Sequence, residues 1–205
     1  MKSTRYLSPL WLFGAAFVLL SVVAGTGWLY GPDVFVMRAV QSRPSDLLDF
    51  LARFLSTAGS WGISGALLLA LLAGLYGGGR KRLAGRLLVA FLATGLLEYL
   101  LKQFLPVPPI PPGSFRAEDF VPLATVEHSY PYPSGHAIRS TILLGTVYFL
   151  GRNTFLHGGI ALLLLGLLAS RVYLGVHWAS DVVGGALLGA TAVLWAFGKE
   201  GRGWR

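Results

Sequence analysis

Cysteine is absent from the 205-residue chain, which excludes disulfides and thiolate metal sites. Charge is scarce as well. Only 13% of the residues are Asp, Glu, Lys or Arg, against about 25% in ordinary soluble domains. That scarcity excludes a surface made for water along the whole chain. The charges that remain lean basic, 17 Lys and Arg against 9 Asp and Glu, a formal net charge of +8. A nucleic-acid partner would want those cations clustered on a soluble face. Here they lie scattered between apolar runs, so no nucleic acid is expected. A convincing internal repeat is also missing. What is plentiful is apolar side chain, 54% of the chain, and the solvent this implies is a lipid bilayer. At this length one domain, 1–205, is expected.

The apolar runs predict an all-α polytopic membrane protein with six transmembrane helices. Leu7 to Gly31 carries no charge and exceeds the roughly 20 residues that cross a hydrocarbon core. Lys2 and Arg5 before it resemble the start of a signal peptide, but the run is long for one, and a retained first span is expected. Further spans are expected at Trp61–Tyr76, Leu83–Leu105, Gly135–Leu150, Phe155–Tyr173 and Val182–Phe197. The fourth and sixth are short and need flanking residues to complete a crossing. Between the first two spans, Leu47, Leu48, Leu51, Phe54 and Leu55 recur at helical spacing. Ser45 offers an N-cap, and Asp46 and Asp49 fall in the first turn. Residues 45–57 therefore read as an amphipathic helix, lying in the membrane interface or packed on the protein. Residues 106–133 form a proline-rich polar loop, since Pro106, Pro108, Pro109, Pro111 and Pro112 cannot continue a helix.

Six spans divide the Lys and Arg residues unevenly. One side holds Lys2, Arg5, Arg80, Lys81, Arg82, Arg86, Arg152, Lys199, Arg202 and Arg205 with few acids. By the positive-inside rule that side is cytoplasmic, with both termini. The 106–133 loop then lies outside, and the plasma membrane is the expected location. The unusual polar residues gather on the outer side. Lys102 is near the end of the third span, and Ser134, Gly135 and His136 open the fourth. Ser170 and Arg171 end the fifth, and His177 and Asp181 begin the sixth. Ionisable groups at such depths are expensive and mark function. Lys102 and Arg171 supply positive charge, and Ser134-Gly135 leads into a helix N-terminus, an anion site. Together they suit phosphate. His177 and Asp181, four apart, share a helix face. The carboxylate there can hold one imidazole nitrogen and leave the other to attack. His136 is then available to protonate a leaving oxygen.

These residues resemble the type 2 phosphatidic acid phosphatase (PAP2) superfamily, which also contains vanadium haloperoxidases and glucose-6-phosphatase. The family's second motif, P-S-G-H, stands at Pro133-Ser134-Gly135-His136. Its third, S-R-x5-H-x3-D, stands at Ser170-Arg171, His177 and Asp181. Its first, K-x6-R-P, is matched at Lys102, but Pro109 and Ile110 occupy the Arg and Pro positions. The motifs span 102–181. The resemblance implies a six-helix membrane fold and a metal-independent lipid phosphate phosphatase without cofactors. It implies His177 as nucleophile through a phosphohistidine, Asp181 orienting it, and His136 as general acid. Lys102, Ser134, Gly135 and Arg171 would hold the phosphate.

Several alternatives stay open at this stage. Arg139, three residues after His136 and so on the same helix face, is expected to replace the missing first-motif arginine as a phosphate ligand; the alternative is an arginine that snorkels outward. Arg116 in the outer loop could supply the same charge. Glu98, four before Lys102, either positions that lysine or only neutralises it. His128, beside Glu127, reads as loop surface, and His157 on the cytoplasmic side has no role. Gly185 and Gly189 suit close helix contact inside the bundle. Two His and a carboxylate can also ligate iron or zinc, but Lys102 and Arg171 would repel a cation, so no metal is expected. The expected partners are membrane lipids and a lipid phosphate substrate: undecaprenyl diphosphate, phosphatidic acid or phosphatidylglycerol phosphate. An outward site fits recycling of a polyprenyl carrier. A non-catalytic lipid-phosphate binder or transporter is the rival function.

Overall fold

A computed structural model describes residues 7–116 and 129–198. The described residues are helical throughout their regular structure: α1 (Leu7–Gly25), α2 (Tyr30–Val40), α3 (Asp46–Thr57), α4 (Trp61–Gly77), α5 (Lys81–Phe104), α6 (Gly135–Leu150), α7 (Thr154–Tyr173) and α8 (Ala179–Phe197), with one 3₁₀ turn at Pro112–Ser114. Helices stand where the six spans were expected, within a few residues. Three of them, α5, α7 and α8, are long and apolar enough to cross a bilayer alone. The pairs α1–α2 and α3–α4 qualify as bent units, and the 16-residue α6 does not reach the length. Among the described residues, length and apolarity alone thus give up to five spans, without settling the expected six.

The first apolar run ends earlier than expected. Instead of continuing to Gly31, α1 stops at Gly25, and Gly27 turns the chain with φ +77°. The chain then leaves at 98° as α2. No element is expected over 32–44, yet α2 covers most of that stretch. Pro32 falls in the first turn of α2, where a missing N–H costs nothing. The expected amphipathic helix is present as α3. Ser45 caps it, its Oγ accepting the Leu48 N–H at 3.2 Å. Ala52 and Ser56 face inward, while Leu47, Phe50, Leu51 and Phe54 form an exposed apolar stripe. α3 packs on α7 through Ala52, Tyr173 and Leu174.

α8 is the hub of the bundle, packed against α1, α5 and α6 and touching α2 and α7. Its approach to α6 depends on two glycines. A Cβ at 189 would stand 2.7 Å from Thr141 Cβ and 2.8 Å from Ile138 O, and one at 185 would strike Ser134 O. The expectation of close helix contact inside the bundle therefore holds. Ile138, Ile142, Val182 and Val193 fill the interior between these helices. Leu12, Leu19, Leu69, Leu92, Leu162 and Leu165 are exposed on the long helices, the apolar exterior that lipid covers.

Candidate active site

The turn between α7 and α8 carries His177. Sequence spacing predicts that His177 and Asp181 share a helical face. Instead His177 lies in the turn before α8, and Asp181 is the third residue of the helix. The two meet because Asp181 folds back as a cap. Its Oδ2 accepts the Trp178 N–H at 2.9 Å and faces His177 Nδ1 at 3.4 Å. Both side chains are buried, Asp181 completely. Trp178 locks the turn from the other side, its Nε1–H donating to Pro108 O at 2.8 Å.

The fourth expected span begins as predicted. Ser134 caps α6, its Oγ accepting the Ala137 N–H at a long 3.5 Å. The Ser134 N–H donates to Asp181 O at 2.9 Å, which ties the start of α6 to the start of α8. The first N–H groups of α6 thus lie beside the His177 turn, and such groups with the helix dipole attract anions. His136 packs against the α3–α4 elbow. A Cβ on Gly59 would lie 2.9 Å from His136 Cδ2.

The cations are organised by one acid. Glu98 is buried and reaches two of them, Lys102 Nζ at 3.3 Å through Oε1 and Arg139 Nη1 at 3.0 Å through Oε2. The same carboxylate occupies the space a Cβ on Gly135 would need. Arg139 does not snorkel; it is 3% exposed. Its guanidinium is held by more than Glu98. Nε donates to Gly59 O at 3.1 Å, and the group lies 4.2 Å over the Trp61 ring. The i, i+3 argument placed Arg139 on the correct helix face but could not see that Glu98 and the elbow of another helix pair meet it there. Arg171 Nη1 donates to Ser56 Oγ on α3.

The first-motif departure is real in space as well, since Pro109 is exposed and brings no charge. Arg116 is not a loose substitute. It grips Asp49 bidentately, Nε to Oδ1 and Nη2 to Oδ2, both at 2.9 Å. Tyr173 Oη donates to Asp49 Oδ1 at 2.7 Å. Arg116, first, and Tyr173 hold the Asp49 carboxyl below the usual carboxylate range. Gln41 adds a further tie, its Nε2 donating to Ser114 O at 2.8 Å and Tyr173 O at 2.9 Å. His128 and Glu127 lie outside the described residues. His157, between the second and third motifs in the chain, stacks on Tyr148 with ring centroids 4.2 Å apart. Ser56, Gly59, Gln41 and Asp33, which supports α8, were passed over in the sequence. None belongs to a motif, and each acts through a contact between segments distant in the chain.

The profile of the PAP2 superfamily matches residues 83–203, a stretch that includes every motif residue. Phosphatidylglycerophosphatase B of Bacillus subtilis (strain 168) is 32% identical over 122 residues, 54% of this chain and 55% of that protein. The match thus spans about half the length of that curated relative. Among solved structures, a transmembrane PAP2-type phosphatidylglycerolphosphate phosphatase from Bacillus subtilis superposes with a TM-score of 0.73 at 22% identity, covering 98% of both chains. Aquifex aeolicus LpxE superposes with a TM-score of 0.61 at 25% identity, over 80% of this chain and 93% of its own. With the apolar helices, these likenesses make the chain a multi-pass membrane protein.

Proposed function

Because the chain belongs to the PAP2 superfamily, we propose that it is an integral membrane phosphatase acting on a lipid phosphate or diphosphate through His177. The observation that carries this reading is the 2.9 Å bond from Ser134 N–H to Asp181 O. It supports the reading by tying the start of α6, whose first N–H groups suit an anion, to the first turn of α8 next to His177.

Lys102, Arg171, Ser134 and the Gly135 backbone hold the phosphate. Asp181 keeps a proton on Nδ1 of His177, so the Nε2 lone pair attacks phosphorus. A P–N bond forms as the bond from phosphorus to the lipid oxygen breaks, and His136 gives that oxygen its proton. His136 then takes a proton from water, whose oxygen attacks phosphorus. The P–N bond breaks, inorganic phosphate leaves, and His177 is restored. Arg139 is a positioning residue in this scheme: it balances Glu98, which holds Lys102. Fixed cations supply the charge a metal would bring.

Phosphatidylglycerol phosphate stands first among the candidate substrates, because the 32%-identical relative is named for it. Undecaprenyl diphosphate and phosphatidic acid follow. The Lys/Arg asymmetry supports a plasma-membrane orientation with both termini cytoplasmic and the site outside.

Detergent-solubilised protein is expected to release inorganic phosphate from phosphatidylglycerol phosphate in the presence of EDTA. Vanadate should inhibit it, and His177→Ala should reduce release to background. Tight lipid-phosphate binding without release would establish the rival binder or transporter. Loss of activity in EDTA, restored by a divalent ion, would establish a metal enzyme.

A further inference from the structure

Asp33 lies outside every motif, yet its carboxylate is 5% exposed and aimed at α8. Oδ1 accepts the Ser180 N–H at 2.9 Å, and Oδ2 accepts the Ser180 hydroxyl at 2.6 Å. Ser180 is the second residue of α8. Its N–H has no acceptor within the helix, and an anion there also meets the positive end of the helix dipole. Asp33 is therefore a cap supplied from another helix. Tyr30, on the same α2, meets the Trp178 ring edge-on with centroids 5.6 Å apart. α2 grips the segment 177–181 at two points, one on each side of Ala179.

We propose that Asp33 is a positioning residue that fixes the first turn of α8 and so holds His177 on line with the bound phosphate. The proposal rests on the phosphatase reading. His177 takes its orientation from Asp181, and Asp181 is one residue from the bond that Asp33 makes. The phosphate ligands, by contrast, come from α5, α6 and α7, which Asp33 does not touch in any hydrogen bond. Attack needs the reacting atoms about 3–3.5 Å apart, and a displacement of about 1 Å can cost on the order of 100-fold. Loss of Asp33 should therefore act on turnover and spare phosphate binding.

The test measures kcat and KM on phosphatidylglycerol phosphate in detergent micelles, with vanadate inhibition as a probe of the phosphate subsite. Asp33→Ala should lower kcat about 10- to 100-fold, while KM and the vanadate inhibition constant stay near wild type. Asp33→Asn can still accept the Ser180 N–H and can donate to the Ser180 hydroxyl, so it should recover most of kcat. An Asp33→Ala enzyme with normal kcat overturns the proposal. So does a loss seen equally in vanadate binding, or an Asp33→Asn enzyme as poor as Asp33→Ala. Should Asp33→Ala fail to fold, Ser180→Ala removes one of the two bonds and should still lower kcat several-fold with vanadate binding unchanged; a wild-type kcat there also overturns it. A wild-type protein that releases no phosphate would defeat the phosphatase reading itself, which separates the two failures.

Discussion

At the scale of single residues, the arrangement around Glu98 is a buried chain of three charges. Lys102 and Arg139 share one carboxylate, and all three residues are at most 9% exposed. Removing one partner of a buried pair leaves an uncompensated charge and costs about 3–5 kcal/mol. Arg139→Ala is therefore expected to lower both thermal stability and kcat/KM, the latter by about 10- to 100-fold. The decisive measurement is the double variant. If Arg139 acts through Glu98, then Glu98→Gln combined with Arg139→Ala should be no worse than the worse single variant, because the two changes remove the same interaction. If Arg139 itself grips the phosphate, the two losses in kcat/KM should multiply.

At the scale of elements, α3 has two faces with different duties. Its exposed stripe of Leu47, Phe50, Leu51 and Phe54 is suited to lipid, while Asp49, Ala52 and Ser56 reach the rest of the protein. Asp49 is the anchor for the described end of the loop, because Arg116 and Tyr173 both bind it. The Asp49 pKa is lowered on folding, so this clamp contributes stability above the ordinary carboxylate range and loses it as pH falls through the folded value. Asp49→Asn should reproduce the loss at neutral pH. Hydrogen exchange at the Arg116 amide, which donates to Leu174 O at 3.0 Å, should speed up in the variant, and in wild type only in acid. Unchanged exchange in the variant would show that Gln41 alone holds the loop. The helices themselves were legible in the sequence because long uncharged runs and a Ser45 cap are local signals. The motif residues were legible because their spacing is fixed within single segments. What escaped were contacts between segments: the turn that lets Asp181 reach His177 from a cap position, the sharing of Glu98 by two cations, and Asp33 reaching α8 from a stretch where no element was expected.

At the scale of the whole molecule, the distribution of charge gives the bundle a direction. Basic residues collect at one end of the helices, at Arg80, Lys81, Arg82, Arg86 and Arg152, and the candidate site lies at the other. The absence of cysteine makes the direction measurable. Single cysteines at Ser114 and Gly79 should differ in intact cells, a membrane-impermeant maleimide labelling position 114 and sparing 79. The reverse pattern would invert the orientation and place the substrate pool in the cytoplasmic leaflet. Neither outcome disturbs the packing of α6 on α8, which is independent of the side from which lipid enters.

The contact between Gly135 and the Glu98 carboxylate binds the histories of two positions. The volume that a methyl group at 135 would need is already taken by the acid at 98. An alanine at 135 requires the side chain at 98 to shift, shorten or withdraw. A shortened acid at 98, in turn, reaches Lys102 and Arg139 less well. A side chain at 135 is thus gated by the residue at 98, and substitution at 135 is expected to accompany a change at 98.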